Sequence, residues 1–386
     1  MTVEARRLRA IPWWEPLFGP EEQAQVLRVL ESGYLNDGEV TEEFERRLAA
    51  FCGVPYAVAM SSGTAAIFAA LSACGIRPGD EVIVPDFTFV ATANAVSWLG
   101  ATPVLVDVDP NTFCLDAEAV RQALSDRTKA IIPVHVNGRS ADVEAIVELA
   151  IRRGLVVVED AAEALGSRRD SRALGTFGRA GCLSFASSKL VTTGQGGAVL
   201  TSDPRLRDRL RELKDQGRRL RGTGGADAHP VIGYNLKLTN LQAAVGIAQL
   251  ERLPSRLSHL RQLVAWYHEA LAGLEGVEPV PFDQPRGTAP LWADVLAEDR
   301  DALAEYLALH GIGTRTFWRP LHTLPPYRAS AERFPRSEVI TARGLWLPSS
   351  VTLTRDEVVR VSQAVAEFVR VRHRSSRRAA TIRTIP

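Results

Sequence analysis

The 386-residue sequence has few of the features that mark several common classes of protein. Its four cysteines are widely spaced without a CxxC pair, so neither a disulfide framework nor a zinc knuckle is expected. With 46 basic and 45 acidic residues, it has no global field that would attract nucleic acid or an anionic membrane. No apolar run reaches the roughly 20 residues that span a bilayer, and the start of the sequence lacks the apolar segment of a signal peptide. We therefore expect a cytoplasmic enzyme or binding protein.

Lysine is as scarce as cysteine. Only Lys129, Lys189, Lys214 and Lys237 occur, against 42 arginines. No glycine directly precedes a lysine, which excludes a Walker-type phosphate loop, and no GxGxxG motif follows a strand-like run. The sequence therefore gives no evidence for an ATPase or an ordinary Rossmann dehydrogenase. Because lysines are so few, each of them is a candidate for a specific role.

Short apolar runs alternate with helical stretches from about residue 20 to residue 250. The runs are continuously apolar, which is typical of parallel strands covered by helices on both faces. The sequence therefore predicts an α/β fold with a mostly parallel sheet. Ligands of such sheets bind beyond the carboxyl ends of the strands, where Asp86, Asp107 and Asp160 lie. The predicted strands are residues 81–86, 102–108, 130–136, 155–160, 182–186 and 197–202.

The pattern changes after a helix that is predicted to stop at Pro254. Residues 1–254 are predicted to form an N-terminal arm and a large domain, and residues 255–372 a smaller α+β domain. Residues 373–386 are basic and poor in apolar side chains, which predicts a flexible tail. The Gly- and Arg-rich segment 216–238 is too long for a plain connection, and is expected to be either disordered or a binding loop.

Two motifs can hold ligands or can simply cap helices. Ser61-Ser62-Gly63-Thr64 precedes a predicted helix, where free backbone N–H groups bind phosphate, although a hydroxyl helix cap is the alternative. Asp160 ends a predicted buried strand, where its carboxylate can pair with a cationic ring nitrogen or cap the next helix. Glu163, three residues further on, can complete a capping box.

Lys189 follows a predicted buried strand and precedes a Gly-rich loop, TTGQGG. Because desolvation lowers the pKa of an amine, a lysine in such a place can attack a carbonyl; a surface position is the alternative. A phosphate seat, an acid for a pyridinium nitrogen and a Schiff-base lysine are together the parts that hold pyridoxal 5′-phosphate (PLP). Their order along the chain suits the large domain of an aspartate-aminotransferase-type fold.

The sequence resembles the DegT/DnrJ/EryC1/StrS family of PLP-dependent sugar aminotransferases over nearly its whole length. This resemblance implies PLP fold type I, aspartate-aminotransferase-like, with a mostly parallel large domain and a smaller C-terminal α+β domain. It implies transfer of an amino group from an amino acid, L-glutamate before L-glutamine, to a keto group of a nucleotide-linked deoxysugar, as in perosamine synthases. The matching stretches are SGTAAIFAAL, PGDEVIVPDFTFVATANAV, GATPVLVDVDPNTFCLD, VEDAAEALGS, SFASSKLVTTGQGG, GYNLKLTNLQAAVGIAQLERL and GIGTRTFWRPLH.

The resemblance also implies roles for individual residues. Lys189 would form the Schiff base with the cofactor and later move a proton, and Asp160 would keep the pyridine nitrogen protonated. Phe89 would stack on the ring, and Glu163 would lie near the 3′-oxygen. The expected phosphate contacts are Gly63, Thr64, Ser184 and, from the other subunit of a homodimer with a shared active site, Asn235.

Some alternatives stay open. The acceptor could instead be a keto-cyclitol without a nucleotide, or the protein could be a non-catalytic regulator with the same fold. Gln195, Ser188 and Asn137 depart from the residues that many relatives have, which puts the substrate rather than the transamination in question. Neither nucleic acid nor membrane is expected as a partner.

Two histidines and two tryptophans outside these motifs are also candidates for a role at the site. His135 is expected to be a packed residue in preference to an acid–base catalyst, and His322 is a residue that could approach the substrate. Trp13 and Trp14 are expected in the core or at the dimer interface in preference to stacking on a base.

Overall fold

The computed structural model describes residues 9–219 and 228–382, with side chains described up to residue 372. Helices and strands alternate through the first two thirds of the chain. The helices are α1 Pro20–Ser32, α2 Glu39–Cys52, α3 Gly63–Ala73, α4 Ala91–Ser97, α5 Ala117–Ala123, α6 Val143–Arg153, α7 Pro204–Lys214, α8 Asn240–Glu251, α9 Leu253–Leu271, α10 Arg300–Leu309, α11 Pro335–Arg343 and α12 Arg355–Ile382. The strands are β1 Tyr56–Met60, β2 Glu81–Pro85, β3 Thr102–Val106, β4 Thr128–Ile131, β5 Val156–Asp160, β6 Arg168–Arg169, β7 Arg172–Ala173, β8 Ala180–Ser184, β9 Gly197–Thr201, β10 Val277–Pro279, β11 Ala293–Ala297, β12 Arg315–Thr316 and β13 Gly344–Leu347.

A seven-stranded sheet in the order β1-β9-β8-β5-β4-β2-β3 forms the centre of the molecule. Only β9 runs against the others, so the predicted mostly parallel α/β sheet is confirmed. All five residues of β2 are buried, as expected for a strand covered on both faces. The pattern missed β1, because its sequence YAVAM is short, rich in alanine and runs directly into the SSGT motif.

The aspartates at the carboxyl ends of three strands have different roles. Asp86 accepts hydrogen bonds from the backbone N–H of His322 at 2.8 Å and from its Nδ1 at 2.7 Å. Asp107 accepts from the backbone N–H and the hydroxyl of Ser337 at the start of α11. These two carboxylates therefore attach the C-terminal part of the chain to the large sheet, which leaves Asp160 as the one that faces the candidate site.

A second, antiparallel sheet in the order β10-β11-β13-β12 lies near the C-terminus, and α9, α10 and α12 pack around it. It corresponds to the smaller α+β unit expected from the sequence. Pro254 lies in the first turn of α9, where its missing N–H costs no helical hydrogen bond. The exact division at residues 254 and 255 stays a prediction.

Parts of three predicted segments lie outside the described residues: 1–8 of the N-terminal arm, 220–227 of the Gly- and Arg-rich segment and 383–386 of the basic tail. The backbone of α12 continues to Ile382, so the first ten residues of the predicted tail belong to this helix. In the described part of the chain, no helix is long and apolar enough to cross a membrane.

Candidate active site

Lys189 lies in the loop between β8 and β9, with its side chain 13% exposed. Its backbone N–H donates to the carbonyl of Ala186 at 2.9 Å, which holds a turn at the end of the strand. Its Nζ donates to Oε1 of Glu163 at 3.0 Å and lies 5.2 Å from the centre of the Trp292 ring. The ammonium therefore has one carboxylate partner and one aromatic face. Its cavity is also lined by Ser184, Leu190, Val191, Leu257, Ala289, Pro290 and Leu291.

The carboxylate of Glu163 connects Lys189 to the protein backbone. One oxygen accepts from Lys189, and the other accepts from the backbone N–H of Asn137 at 2.9 Å. Burial raises the pKa of Glu163 above its ordinary value, and the charge of Lys189 and the Asn137 N–H oppose this rise. Glu163 is therefore placed to share a proton with Lys189. Its expected position near the cofactor's 3′-oxygen stays a prediction.

Asn137 is a site residue whose role was missed from the sequence. It has a positive φ of 51°, which asparagine tolerates better than most residues. Its Oδ1 accepts from the N–H groups of Leu291 and Trp292, and its Nδ2 donates to the carbonyl of Trp292. The same residue thus fixes Glu163 and the wall that carries Trp292. The Asn-Gly pair in VNGRS was a usable signal, since this dipeptide favours left-handed turns.

Asp160 is buried at the end of β5. Thr92 donates its hydroxyl to Oδ2 at 2.8 Å, and the backbone N–H of Ala162 donates to Oδ1 at 3.1 Å. Burial raises the pKa of Asp160, opposed by these two hydrogen bonds and by the charge of Lys189. Because a buried carboxylate is stabilised by a nearby cation, this group is suited to pair with a protonated ring nitrogen.

The N-terminus of α3 forms the predicted phosphate seat. Ser62 caps the helix by accepting from the N–H of Ala65 at 3.1 Å, so the capping interpretation holds for this hydroxyl. The N–H groups of Gly63 and Thr64 donate to no atom of the described chain and are left for a ligand. A Cβ at Gly63 would lie only 2.8 Å from that of Ser184, so glycine is required for this approach. The motif therefore both caps the helix and offers an anion site.

Two residues expected near the cofactor make no contact with the Lys189 cluster. Phe89 is 50% exposed, and its ring centre lies 6.4 Å from that of Trp318. Asn235 is exposed, and its backbone pairs with Asp215. Their roles in ring stacking and in phosphate binding across a dimer stay predictions.

The two candidate histidines are held by carboxylates. His135 is buried, with Nε2 at 2.9 Å from Oε2 of Glu159, and it has a structural place in the interior. His322 has one ring nitrogen on Asp86 and the other 2.8 Å from Oε1 of Glu338. With both nitrogens engaged, His322 has a structural role, and the expectation that it approaches a substrate receives no support.

Tryptophans from distant parts of the chain contact the lysine loop or one another beside it. The indole N–H of Trp14 donates to the carbonyl of Ser187 at 2.9 Å, two residues before Lys189. The ring centre of Trp13 lies 5.4 Å from that of Trp292, over which Lys189 lies. Both residues were expected to be structural, and Trp14 contacts the loop that carries Lys189 directly. No local pattern connects residues so far apart in sequence.

These residues fit PLP by the chemistry of their groups. The free N–H groups at Gly63 and Thr64, with Ser184 beside them, suit a phosphate. Asp160 suits the pyridine nitrogen, and Lys189 suits the aldehyde. Glycine at position 63 lets the Ser184 side chain lie against the N-terminus of α3, which brings its hydroxyl next to these N–H groups.

Comparison with known proteins identifies relatives that match over nearly the full chain. The model of the DegT/DnrJ/EryC1/StrS aminotransferase family matches residues 16–366. GDP-perosamine synthase of Caulobacter vibrioides is 38% identical over 362 residues, covering 92% of this chain and 97% of that protein. The dTDP-3-amino-3,4,6-trideoxy-alpha-D-glucose transaminase of Streptomyces venezuelae is 40% identical over 355 residues, covering 90% and 92% respectively.

Solved structures give the same result. The crystal structure of S. venezuelae DesV superposes with a TM-score of 0.88 at 37% identity, covering 94% of this chain and 99% of DesV. The fold is therefore that of PLP-dependent aminotransferases, as the resemblance implied. Together with the lysine, the carboxylates and the phosphate seat, these matches show that the chain belongs to the DegT/DnrJ/EryC1/StrS family and is a PLP-dependent aminotransferase.

Proposed function

We propose that this aminotransferase moves an amino group from an α-amino acid, L-glutamate first, to a keto group of a nucleotide-linked deoxysugar. The observation that carries the proposal is the match of more than nine tenths of the chain to a GDP-perosamine synthase. A second relative is named for a dTDP-linked amino sugar, which supports the same class of acceptor. The keto-cyclitol alternative has no comparable support from these relatives.

The site residues supply proton transfer and binding. When bound, PLP supplies an electron sink that makes the proton on the donor's α-carbon acidic. Lys189 would take that proton on a neutral Nζ and pass it to the cofactor in place of returning it to the donor. Glu163, 3.0 Å away, would first accept the proton that leaves the Nζ ammonium. Asp160 would keep a proton on the ring nitrogen, and the amides of Gly63 and Thr64 would hold the phosphate.

The proposal includes a homodimer whose active site is shared between subunits. Ile232 is 85% exposed, and beside it the ring of Tyr234 lies 4.9 Å from Phe68, which also contacts the exposed Trp98. Contiguous exposed apolar side chains are typical of protein interfaces. Asn235 adjoins this patch, which supports its expected contact with the partner's cofactor site.

A cytoplasmic location is part of the same proposal. All four cysteines are unpaired, which agrees with a compartment in which thiols stay reduced.

A substrate panel tests the acceptor. The enzyme, loaded with PLP and L-glutamate, is offered GDP-, dTDP- and UDP-linked ketosugars and a keto-inositol, and the aminated product is identified by mass spectrometry. We expect product from at least one nucleotide-linked ketosugar and none from the keto-inositol. Product from the keto-inositol alone would contradict the proposed acceptor while leaving the aminotransferase chemistry intact.

A further inference from the structure

One face of the small sheet is turned toward the lysine site. Trp346 on β13 has Asp294 of β11 and Arg315 of β12 as its direct cross-strand partners. Such partners project from the same face of a sheet. Trp292 lies on this face as well, since its ring centre is 4.8 Å from that of Trp346, and Nζ of Lys189 lies over Trp292. Arg315 therefore projects from the face that borders the reactive lysine.

The two charged side chains that flank Trp346 differ in their partners. Asp294 is buried and forms an ion pair with Arg139. Arg315 is half-buried, with Cζ 4.9 Å from the centre of the Trp13 ring and 5.6 Å from that of Trp346. Within the described residues, the side chain of Arg315 forms neither an ion pair nor a hydrogen bond. A guanidinium held against two indoles with its five N–H donors unused is suited to bind an anion.

Two anions of the proposed substrates suit this guanidinium: the carboxylate of the donor and the diphosphate of the acceptor. Lys189 lies over Trp292, whereas Arg315 lies over Trp13 and Trp346, the rings packed against Trp292. In an α-amino acid, the carboxylate is attached to the carbon that carries the amine, so the donor needs its anion-binding group beside the lysine. In a nucleotide-linked sugar, the sugar ring separates the keto carbon from the diphosphate.

We propose that Arg315 binds the diphosphate of the acceptor and thereby places its keto group at Lys189. This inference rests on the proposed function. Arginine suits the role because its planar fork binds two phosphate oxygens at once and its charge does not depend on pH in the physiological range. The fixed position of Arg315 on β12, against Trp13 and Trp346, lowers the entropy that is lost when the anion binds.

Binding of diphosphates to the PLP-loaded enzyme tests this assignment. GDP, UDP, dTDP and inorganic pyrophosphate are each titrated by calorimetry into the wild type, Arg315→Gln and Arg315→Lys. We expect Arg315→Gln to weaken each probe that the wild type binds by about tenfold or more. Arg315→Lys, which keeps the charge and loses the fork, should restore part of that affinity.

Arg207→Gln is the matched control, because Arg207 also lies over an aromatic ring, 4.5 Å from the centre of Tyr56, but on α7. It should leave the affinities unchanged. The spectral change that L-glutamate alone causes in the bound cofactor should be the same in Arg315→Gln and the wild type. Unchanged diphosphate affinity in Arg315→Gln, or a slower reaction with L-glutamate alone, would overturn the assignment.

Two further outcomes separate this inference from the proposed function. A wild-type enzyme that binds diphosphates through Arg315 but aminates no nucleotide-linked ketosugar would contradict only the proposed acceptor. A wild-type enzyme that binds none of the four probes would overturn the role of Arg315, whatever acceptor it uses.

Discussion

Lys214 is buried and Lys189 is partly buried, and the two differ in how completely their ammonium groups are bound. Lys214, 1% exposed, lies 3.0 Å from Oδ2 of Asp37, 3.2 Å from Oε1 of Glu45 and 3.2 Å from the carbonyl of Ala59. An ammonium has three N–H donors, so these acceptors satisfy it fully. Lys189 has Glu163 as its single carboxylate partner and an indole face beside it.

The difference agrees with the proposal that Lys189 reacts and that Lys214 is structural. Removing the proton of Lys214 would leave two buried carboxylates without their shared cation, which is strongly unfavourable. Removing the proton of Lys189 leaves one carboxylate, Glu163, whose pKa is already raised by burial and which can accept that proton. Burial alone therefore does not mark a reactive lysine, because Lys214 is the more buried of the two and is held by three acceptors.

The largest expected effect tests the reactive side of this comparison. Lys189→Ala removes the amine that is proposed to bond to the cofactor and carry the α-proton. We expect aminotransfer to fall by about 10³-fold or more, with thermal unfolding shifted little, because one carboxylate loses one ion pair. Turnover is followed with L-glutamate and the nucleotide-linked acceptor. An active Lys189→Ala protein would end the assignment of this lysine.

Lys214→Met tests the structural side. It leaves Asp37 and Glu45 buried near an apolar group, so the free energy of unfolding should fall by about 3–5 kcal/mol. Urea unfolding measures the loss, and turnover per folded molecule should stay near that of the wild type. Lys129→Met, at an exposed lysine, is the control and should cost less than about 0.5 kcal/mol. Equal free energies of unfolding for the two variants would contradict the structural role of Lys214.

Thr92→Val tests whether the protonation of Asp160, the second proposed site residue, controls activity. Thr92 donates to Asp160, and this bond opposes the rise that burial causes in the Asp160 pKa. Without the bond the pKa rises further, so Asp160 becomes protonated at higher pH. Since the ionised carboxylate is the active form, the acid limb of the kcat/KM profile should move to higher pH, with up to about tenfold lower activity on that limb.

Thr88→Val is the control for this change, because the Thr88 hydroxyl bonds to Thr92 and not to Asp160. Its acid limb should lie closer to that of the wild type than the limb of Thr92→Val does. A Thr92→Val profile that is lower at every pH but unmoved would show that Thr92 acts on packing and not on the protonation of Asp160.

The smallest effect concerns the loop that carries Lys189. Trp14→Phe keeps an aromatic ring and removes the hydrogen bond to the Ser187 carbonyl. A lost bond of this kind is worth about 0.5–1.5 kcal/mol, so we expect kcat to fall about two- to tenfold with the pH profile unchanged. Trp266→Phe, on α9, should leave kcat unchanged. Equal kcat values for Trp14→Phe and the wild type would show that Trp14 does not position the lysine loop.

Local patterns predicted much of the large sheet and the ends of its strands. The continuous apolar runs identified β2 to β5, β8 and β9, and the resemblance selected Lys189 and Asp160. The carboxyl end of β5 and the N-terminus of α3 could be located because each is defined by a short stretch of chain. In these places, the residues that determine the structure are neighbours in sequence.

The contacts that could not be predicted join distant segments. Asn137 binds Trp292, 155 positions later, and Trp14 binds Ser187, 173 positions later, so no period in the sequence connects them. Lys214 follows the charged stretch RLRDRLRE, yet the end of α7 turns this residue into the interior. A high content of charged residues indicates that most of a helix is exposed to solvent, but it does not show whether a particular residue of that helix is buried.

The contact between the N-terminal arm and the lysine loop has a consequence for synthesis on the ribosome. Trp14 reaches the Ser187 carbonyl from an arm that pairs through Ile11 with Ile312 and through the Trp13 carbonyl with Ser349. A growing chain that ends before residue 312 already contains the phosphate seat and the lysine but cannot fix this arm. The nascent chain therefore contains the residues proposed to bind the cofactor long before Trp14 can be held at the Ser187 carbonyl. We expect this contact to form only after the last fifth of the polypeptide has been synthesised.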